Sequence, residues 1–254
     1  MSTVSSGLGV SWHEVPAFRI SKVWSAARKI YSQHFALFLA ITLVGTAVIS
    51  APAWLAVNTL SGFGRPLRVS LLVLAMLWIF IAGALGQALV ALIVFQRFRH
   101  QPEATNANLR RIASRALPLI LTVFGVIGIA LVGLLALVIP CLIAVTVYSA
   151  AVPACAVEGL SPGASLTRSA DLTLSHRWRI FGLAIEFGIV SGALNKIVEL
   201  AWVGPLGQSA TSSYLSVANG IVGVVPTSFF MVAFAIVYCQ LRAIKEGDYA
   251  SLAP

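Results

Sequence analysis

Val69–Phe95 reads VSLLVLAMLWIFIAGALGQALVALIVF, without one charged side chain. A helix rises about 1.5 Å per residue, so about 20 apolar residues cross a hydrocarbon layer of about 30 Å. Strands of a membrane barrel would instead alternate in runs of about 10, and the apolarity here is continuous. The stretch therefore reads as a transmembrane helix. Five more runs share its character: Phe35–Leu60, Leu117–Ile139, Cys141–Val157, Ile180–Trp202 and Leu215–Gln240. The fold expected is all-α, a polytopic bundle of six transmembrane helices forming one membrane domain over 1–254. Residues 35–240 carry the spans, between a cytoplasmic N-terminal segment (1–34) and a cytoplasmic tail (241–254).

Composition agrees: 59% of the 254 residues are hydrophobic and 10% are charged, against about 25% charged in ordinary globular domains. The net charge of +9 would suggest nucleic acid in a soluble protein, but the cations are sorted by position. Arg19, Lys22, Arg28 and Lys29 precede the first span; Arg97, Arg99, Arg110, Arg111 and Arg115 lie between the second and third. Arg168, Arg177 and Arg179 lie between the fourth and fifth, and Arg242 and Lys245 follow the sixth. Only Arg65, Arg68 and Lys196 fall on the opposite side. Cytoplasmic segments carry the Lys/Arg excess, which puts both termini in the cytoplasm. No basic motif with interleaved aromatics occurs outside these interface segments, so nucleic acid is not an expected partner. The first apolar run is longer than the 7–15 residues of a signal core and is expected to be an uncleaved span.

Outside the spans, one plan recurs three times: a basic amphipathic helix, then a hairpin of two spans. In the first copy Ile20, Val23, Trp24, Ala27, Ile30 and Tyr31 share a face opposite Lys22, Ser25, Arg28, Lys29 and Ser32, the pattern of a helix lying in the membrane interface. The second, Asn106–Ala116, opposes Leu109, Ile112 and Ala113 to Arg110, Arg111 and Arg115. The third opens with Ser161-Pro162, an N-cap and first-turn proline, and carries Leu166, Ala170 and Leu174 on one stripe. It ends at Arg177-Trp178-Arg179, where long basic stems and an indole suit the interface.

These residues also carry a resemblance. The segment Ile139-Pro140, Val152-Pro153, Val157-Glu158-Gly159-Leu160-Ser161-Pro162, Arg168-Ser169, Leu172-Thr173 and His176–Gly182 resembles a family of bacterial six-span membrane proteins. Phe18–Phe38 and the ending Tyr238, Leu241-Arg242, Lys245-Glu246-Gly247 are similar too. The family includes the membrane domain joined in some proteins to glycerophosphodiester phosphodiesterases. Ser165 and Ser175 stand where it often carries alanine and glycine. The resemblance implies a bacterial inner membrane and no hydrolytic activity, because that chemistry belongs to a separate metal-binding barrel.

Candidate functional residues are few. With eight acids and four histidines, and no phosphate-binding loop, dinucleotide fingerprint, H-E-x-x-H or G-x-S-x-G motif, the chain is not expected to be an enzyme or to hold a cofactor. Glu186, about six residues into the fifth run, is the foremost intramembrane candidate: a proton or cation relay, or a hydrogen-bonded structural glutamate. Gln87 and Asn219 are its candidate partners or interhelical bridges. Lys196 and Glu199, three apart, suit a local ion pair. His13, His34, His100 and His176 lack metal-ligand spacing. Ala184, Gly188 and Gly192 form a small-residue stripe for close packing within the monomer or between copies. Cys141, Cys155 and Cys239 read as buried thiols. The leading function is a non-catalytic module organising anionic lipids or a partner membrane protein, including a second copy. A small transporter using Glu186 is the alternative.

Overall fold

A computed structural model describes residues 20–59, 64–99, 101, 104–136, 138–206 and 211–246. Among them there are ten helices and no strand: α1 Ile20–Gln33, α2 Phe35–Thr59, α3 Arg65–Phe98, α4 Thr105–Ser114, α5 Ala116–Ala136, α6 Val138–Val147, α7 Ala151–Glu158, α8 Pro162–Thr173, α9 Arg177–Leu206 and α10 Thr211–Glu246. Five stretches are long and apolar enough to cross a bilayer: Val69–Phe98, Ala116–Leu135, Ile139–Glu158, Arg177–Ala201 and Val222–Glu246. The pair of α1 and Phe35–Val48, bent at a short break, makes a sixth only if the two are counted as one span. Leu74, Met76, Phe80, Val132, Leu135, Ile189 and Leu200 all stand exposed on these helices. So much outward apolar surface belongs to a membrane-embedded protein, where lipid rather than water meets it.

The most extensive helix pairings are α5 with α6, α9 with α10, and α2 with α3. α10 forms the centre, packing on α1, α2, α3 and α9. Its stretch from Val232 to Leu241, in the C-terminal half, is buried apart from Phe234, and it includes Tyr238 and Gln240.

α1 meets α2 at 90°. Hydrogen bonding continues through the elbow, with His34 N–H on the Ile30 carbonyl at 3.2 Å and Phe38 N–H on the His34 carbonyl at 3.1 Å. The apolar stripe read from the sequence is the buried one, comprising Val23, Ala27, Ile30 and Tyr31 together with Ala26. It is covered by the helix bundle. Trp24 stacks on Phe229 and meets Phe230 edge-on, and the Tyr31 hydroxyl lies 2.6 Å from that of Ser228.

Three sequence expectations are corrected. The third run ends with α5 at Ala136 and the fourth begins with α6 at Val138, so the division falls before Pro140, which sits in the first turn of α6, where its missing N–H removes no helical bond. The backbones meet closely at this hairpin: a Cβ on Gly133 would come within 2.9 Å of the Cys141 nitrogen. The fourth run is itself broken. Ala151 N–H turns back to the Tyr148 carbonyl at 3.0 Å, which strips the Val147 carbonyl of its helical donor. Hydroxyls of α8 replace that donor, Ser169 at 2.7 Å and Thr173 at 3.1 Å, while Ser169 Oγ accepts from Ala150 N–H at 3.2 Å.

The third correction concerns the amphipathic helices. α8 buries Ser165, Ser169, Leu172 and Thr173, whereas Leu174 is exposed and Leu166 and Ala170 are half-buried. Ser169 and Thr173 face inward because they serve the break between α6 and α7, while Ser165 bonds back to the Ser161 carbonyl at the start of its own helix. On α4 the buried pair is Asn108 and Ile112, and Leu109 is exposed.

Candidate functional site

The chemistry gathers where α3, α4, α7, α8 and α10 end together. α7 stops at Gly159, which takes φ 71° and donates its N–H to the Cys155 carbonyl at 3.1 Å. Left-handed backbone suits glycine. A Cβ there would also displace the Arg115 guanidinium, which lies 1.9 Å from its position.

Glu158, the residue before this cap, accepts from Arg168 Nε at 3.1 Å and from the Tyr238 hydroxyl at 2.7 Å. Arg168 also pairs with Glu246, which Arg242 Nε bonds at 2.9 Å. Five side chains from α7, α8 and α10 thus form one partly buried network. Burial alone would lower the Arg168 pKa, but Glu158 and then Glu246 raise it overall, keeping the guanidinium charged.

Beside the network lies a cavity of about 410 Å³. Arg99, Arg111, Arg242 and Glu158 line its charged side; Leu92, Phe95 and Leu160 line its apolar side. Arg99 and Arg242 both lie over the Phe95 ring, at 5.0 and 5.2 Å from its centroid, a cation–π arrangement. Gln96, also on the wall, exchanges two 2.8 Å bonds with Asn108, so the buried amide pair fixes α4 against the end of α3.

Among the residues singled out from sequence, Arg111 lines the cavity, Arg168 anchors the network and Arg115 lies over Gly159. Lys22, Lys29 and Arg177 are half-buried, and Arg28, Arg110 and Arg179 are exposed. Arg177 and Arg179 flank Trp178 in a second, 580 Å³ groove at the start of α9. Glu186 is exposed on α9 and accepts from the Trp24 indole N–H at 3.1 Å. Its partner is thus an aromatic residue 162 positions away, not the half-buried Gln87, while the Asn219 side chain, His13 and His100 lie outside the described residues. Lys196 bonds both Glu199 oxygens at 3.0 Å. Close packing of the small-residue stripe within the monomer is not found, since a Cβ at Gly188 or Gly192 would meet nothing within 4 Å. All three cysteines are free; Cys155 and Cys239 are buried and Cys141 partly so.

Sequence reasoning missed Glu158, Tyr238, Arg242 and Glu246 as a unit. All four stand in the motifs that carry the family resemblance, so the signal was present, but spacing alone does not bring residues 80 apart together. Comparison of the chain with family models, curated proteins and solved structures finds no match in any of the three.

Proposed function

We propose that this chain is a non-catalytic, six-span module of a bacterial inner membrane that gathers anionic lipid around its basic cytoplasmic end. In this reading the three amphipathic helices each precede a hairpin, and kinship with the six-span family named above accounts for the motifs. The observation that carries the proposal is α1. It turns 90° from α2, buries its apolar stripe on the bundle and keeps Arg28 outward with Lys22 and Lys29 partly exposed. An anionic leaflet attracts such cations by about 1 kcal/mol each. Glu186 fits this reading without a relay role. Its partner Trp24 belongs to α1, so in this reading the carboxylate lies at the depth of an interfacial helix rather than at mid-membrane.

The test is lipid selectivity in nanodiscs containing neutral phosphatidylcholine and anionic phosphatidylglycerol, read by native mass spectrometry. The wild type is expected to retain phosphatidylglycerol preferentially, and the triple variant Lys22→Gln, Arg28→Gln, Lys29→Gln to lose at least about tenfold of that preference. Equal retention of both lipids by the wild type would reject the proposal.

A second reading, a small transporter, is favoured by a 260 Å³ cleft among α2, α9 and α10 lined by Thr46, Ser191, Asn195 and Thr227. Pro226, which lines it, also leaves the Val222 carbonyl one turn earlier in α10 without a helical donor. Proton flux into proteoliposomes that Glu186→Gln abolishes would favour transport, and flux-free proteoliposomes would count against it.

A further inference from the structure

We propose that the cavity between the ends of α3, α4, α7 and α10 is a binding site for a phosphate-bearing anion, held by Arg99, Arg111 and Arg242. The inference rests on the reading above only in taking this end as the one that faces anionic headgroups.

Three guanidinium groups and one carboxylate line the cavity. Glu158 is already committed to Arg168 and Tyr238, and Arg242 is braced by Glu246. Among the described residues, neither Arg99 nor Arg111 has an ion-pair partner. Two of the cations share the Phe95 ring, so their mutual repulsion is relieved when an anion enters. Guanidinium donors match the oxygens of phosphate in a planar, bidentate fashion that an ammonium cannot reproduce.

The positions of these cations are set by the fold. Arg99 is the C-cap of α3, Arg111 is carried by α4, which the Gln96–Asn108 pair docks, and Arg242 is fixed by the network. A volume of about 410 Å³ is within the range of small-ligand sites. It exceeds what inorganic phosphate alone fills. Leu92, Phe95 and Leu160 give the remainder an apolar wall, suited to the carbon portion of an organic phosphate or a lipid headgroup.

The experiment uses the full chain in two kinds of nanodisc, read by thermal denaturation and binding isotherms. One arm titrates inorganic phosphate onto protein in neutral lipid at constant ionic strength; the other adds phosphatidylglycerol to the disc. A response to phosphate identifies a soluble phosphate source, and a response to phosphatidylglycerol alone identifies the headgroup. In either case the variant Arg99→Gln, Arg111→Gln is expected to weaken binding at least about tenfold, while Lys196→Gln, outside both the cavity and α1, leaves it within about twofold. Neither substitution touches the ion-pair network, and unliganded melting temperatures check that both variants fold. No response in either arm, or one that survives Arg99→Gln, Arg111→Gln unchanged, overturns the site. Loss of bulk lipid selectivity with the site intact would sink the proposed function alone.

Discussion

Tyr238 donates its phenolic hydrogen to Glu158 at 2.7 Å, joining the central helix α10 to the last residue of α7 just before its left-handed cap. The same carboxylate holds Arg168, so three helices depend on one side chain. Tyr238→Phe keeps the ring and deletes the bond; with a charged acceptor and a buried donor the expected loss is about 1–3 kcal/mol. Melting in detergent checks it. A double-mutant cycle with Glu158→Gln should show non-additive losses, because both changes remove the same contact.

Gln240 is 1% exposed, and neither its amide nitrogen nor its oxygen has a hydrogen-bond partner among the described residues. Burying an unpaired amide is unfavourable by about 1–3 kcal/mol. Gln240→Met, close in shape and apolar, is therefore expected to raise the melting temperature. A lower one would mean that the amide is satisfied in the membrane.

Ser169 serves both sides of the α6–α7 break, donating to Val147 and accepting from Ala150. Ser169→Ala removes both bonds at a buried site and is expected to destabilise by about 1–3 kcal/mol. Hydrogen exchange at 148–151 should quicken at the same time, whereas Thr167→Ala, on the exposed face of α8, should change neither quantity.

His34 and His176 lie outside the apolar helices that cross. Burial chiefly, and then Arg97 beside His34 and Arg179 beside His176, hold both pKa values below the usual 6.5. An unfolded histidine binds its proton near pH 6.5, so below that value the unfolded state holds more protons than the folded one. Stability is thus complete above about pH 6.5 and declines as pH falls through the window down to the folded values. Melting temperatures should drop between about pH 7.5 and about pH 5.5, and the variant His34→Gln, His176→Gln should flatten that slope.

Much of the fold was legible because the bilayer imposes a one-dimensional rule. Without water to pair its backbone, a crossing segment must be a long apolar helix, and Val69–Phe95 announces one by composition alone. The α1 face was equally readable, since helical periodicity sorts Val23, Ala27 and Ile30 from Ser25, Arg28 and Ser32. Periodicity misled for α8, where Ser165, Ser169 and Thr173 turn inward. Ser169 and Thr173 turn toward a carbonyl orphaned at Val147, 22 and 26 residues earlier, and no local pattern records that.

The sequence by itself determined a helical, membrane-embedded chain with its cations sorted to alternate junctions, because hydrophobic length and charge position are local properties. Only the tertiary structure decided which polar groups meet. It paired Glu186 with Trp24, drew Glu158, Arg168, Tyr238, Arg242 and Glu246 into one network, and set three arginines around one cavity. Those meetings follow from where helices end and how they pack. In a low-dielectric interior, a carboxylate is held by whichever donors the packing brings within reach.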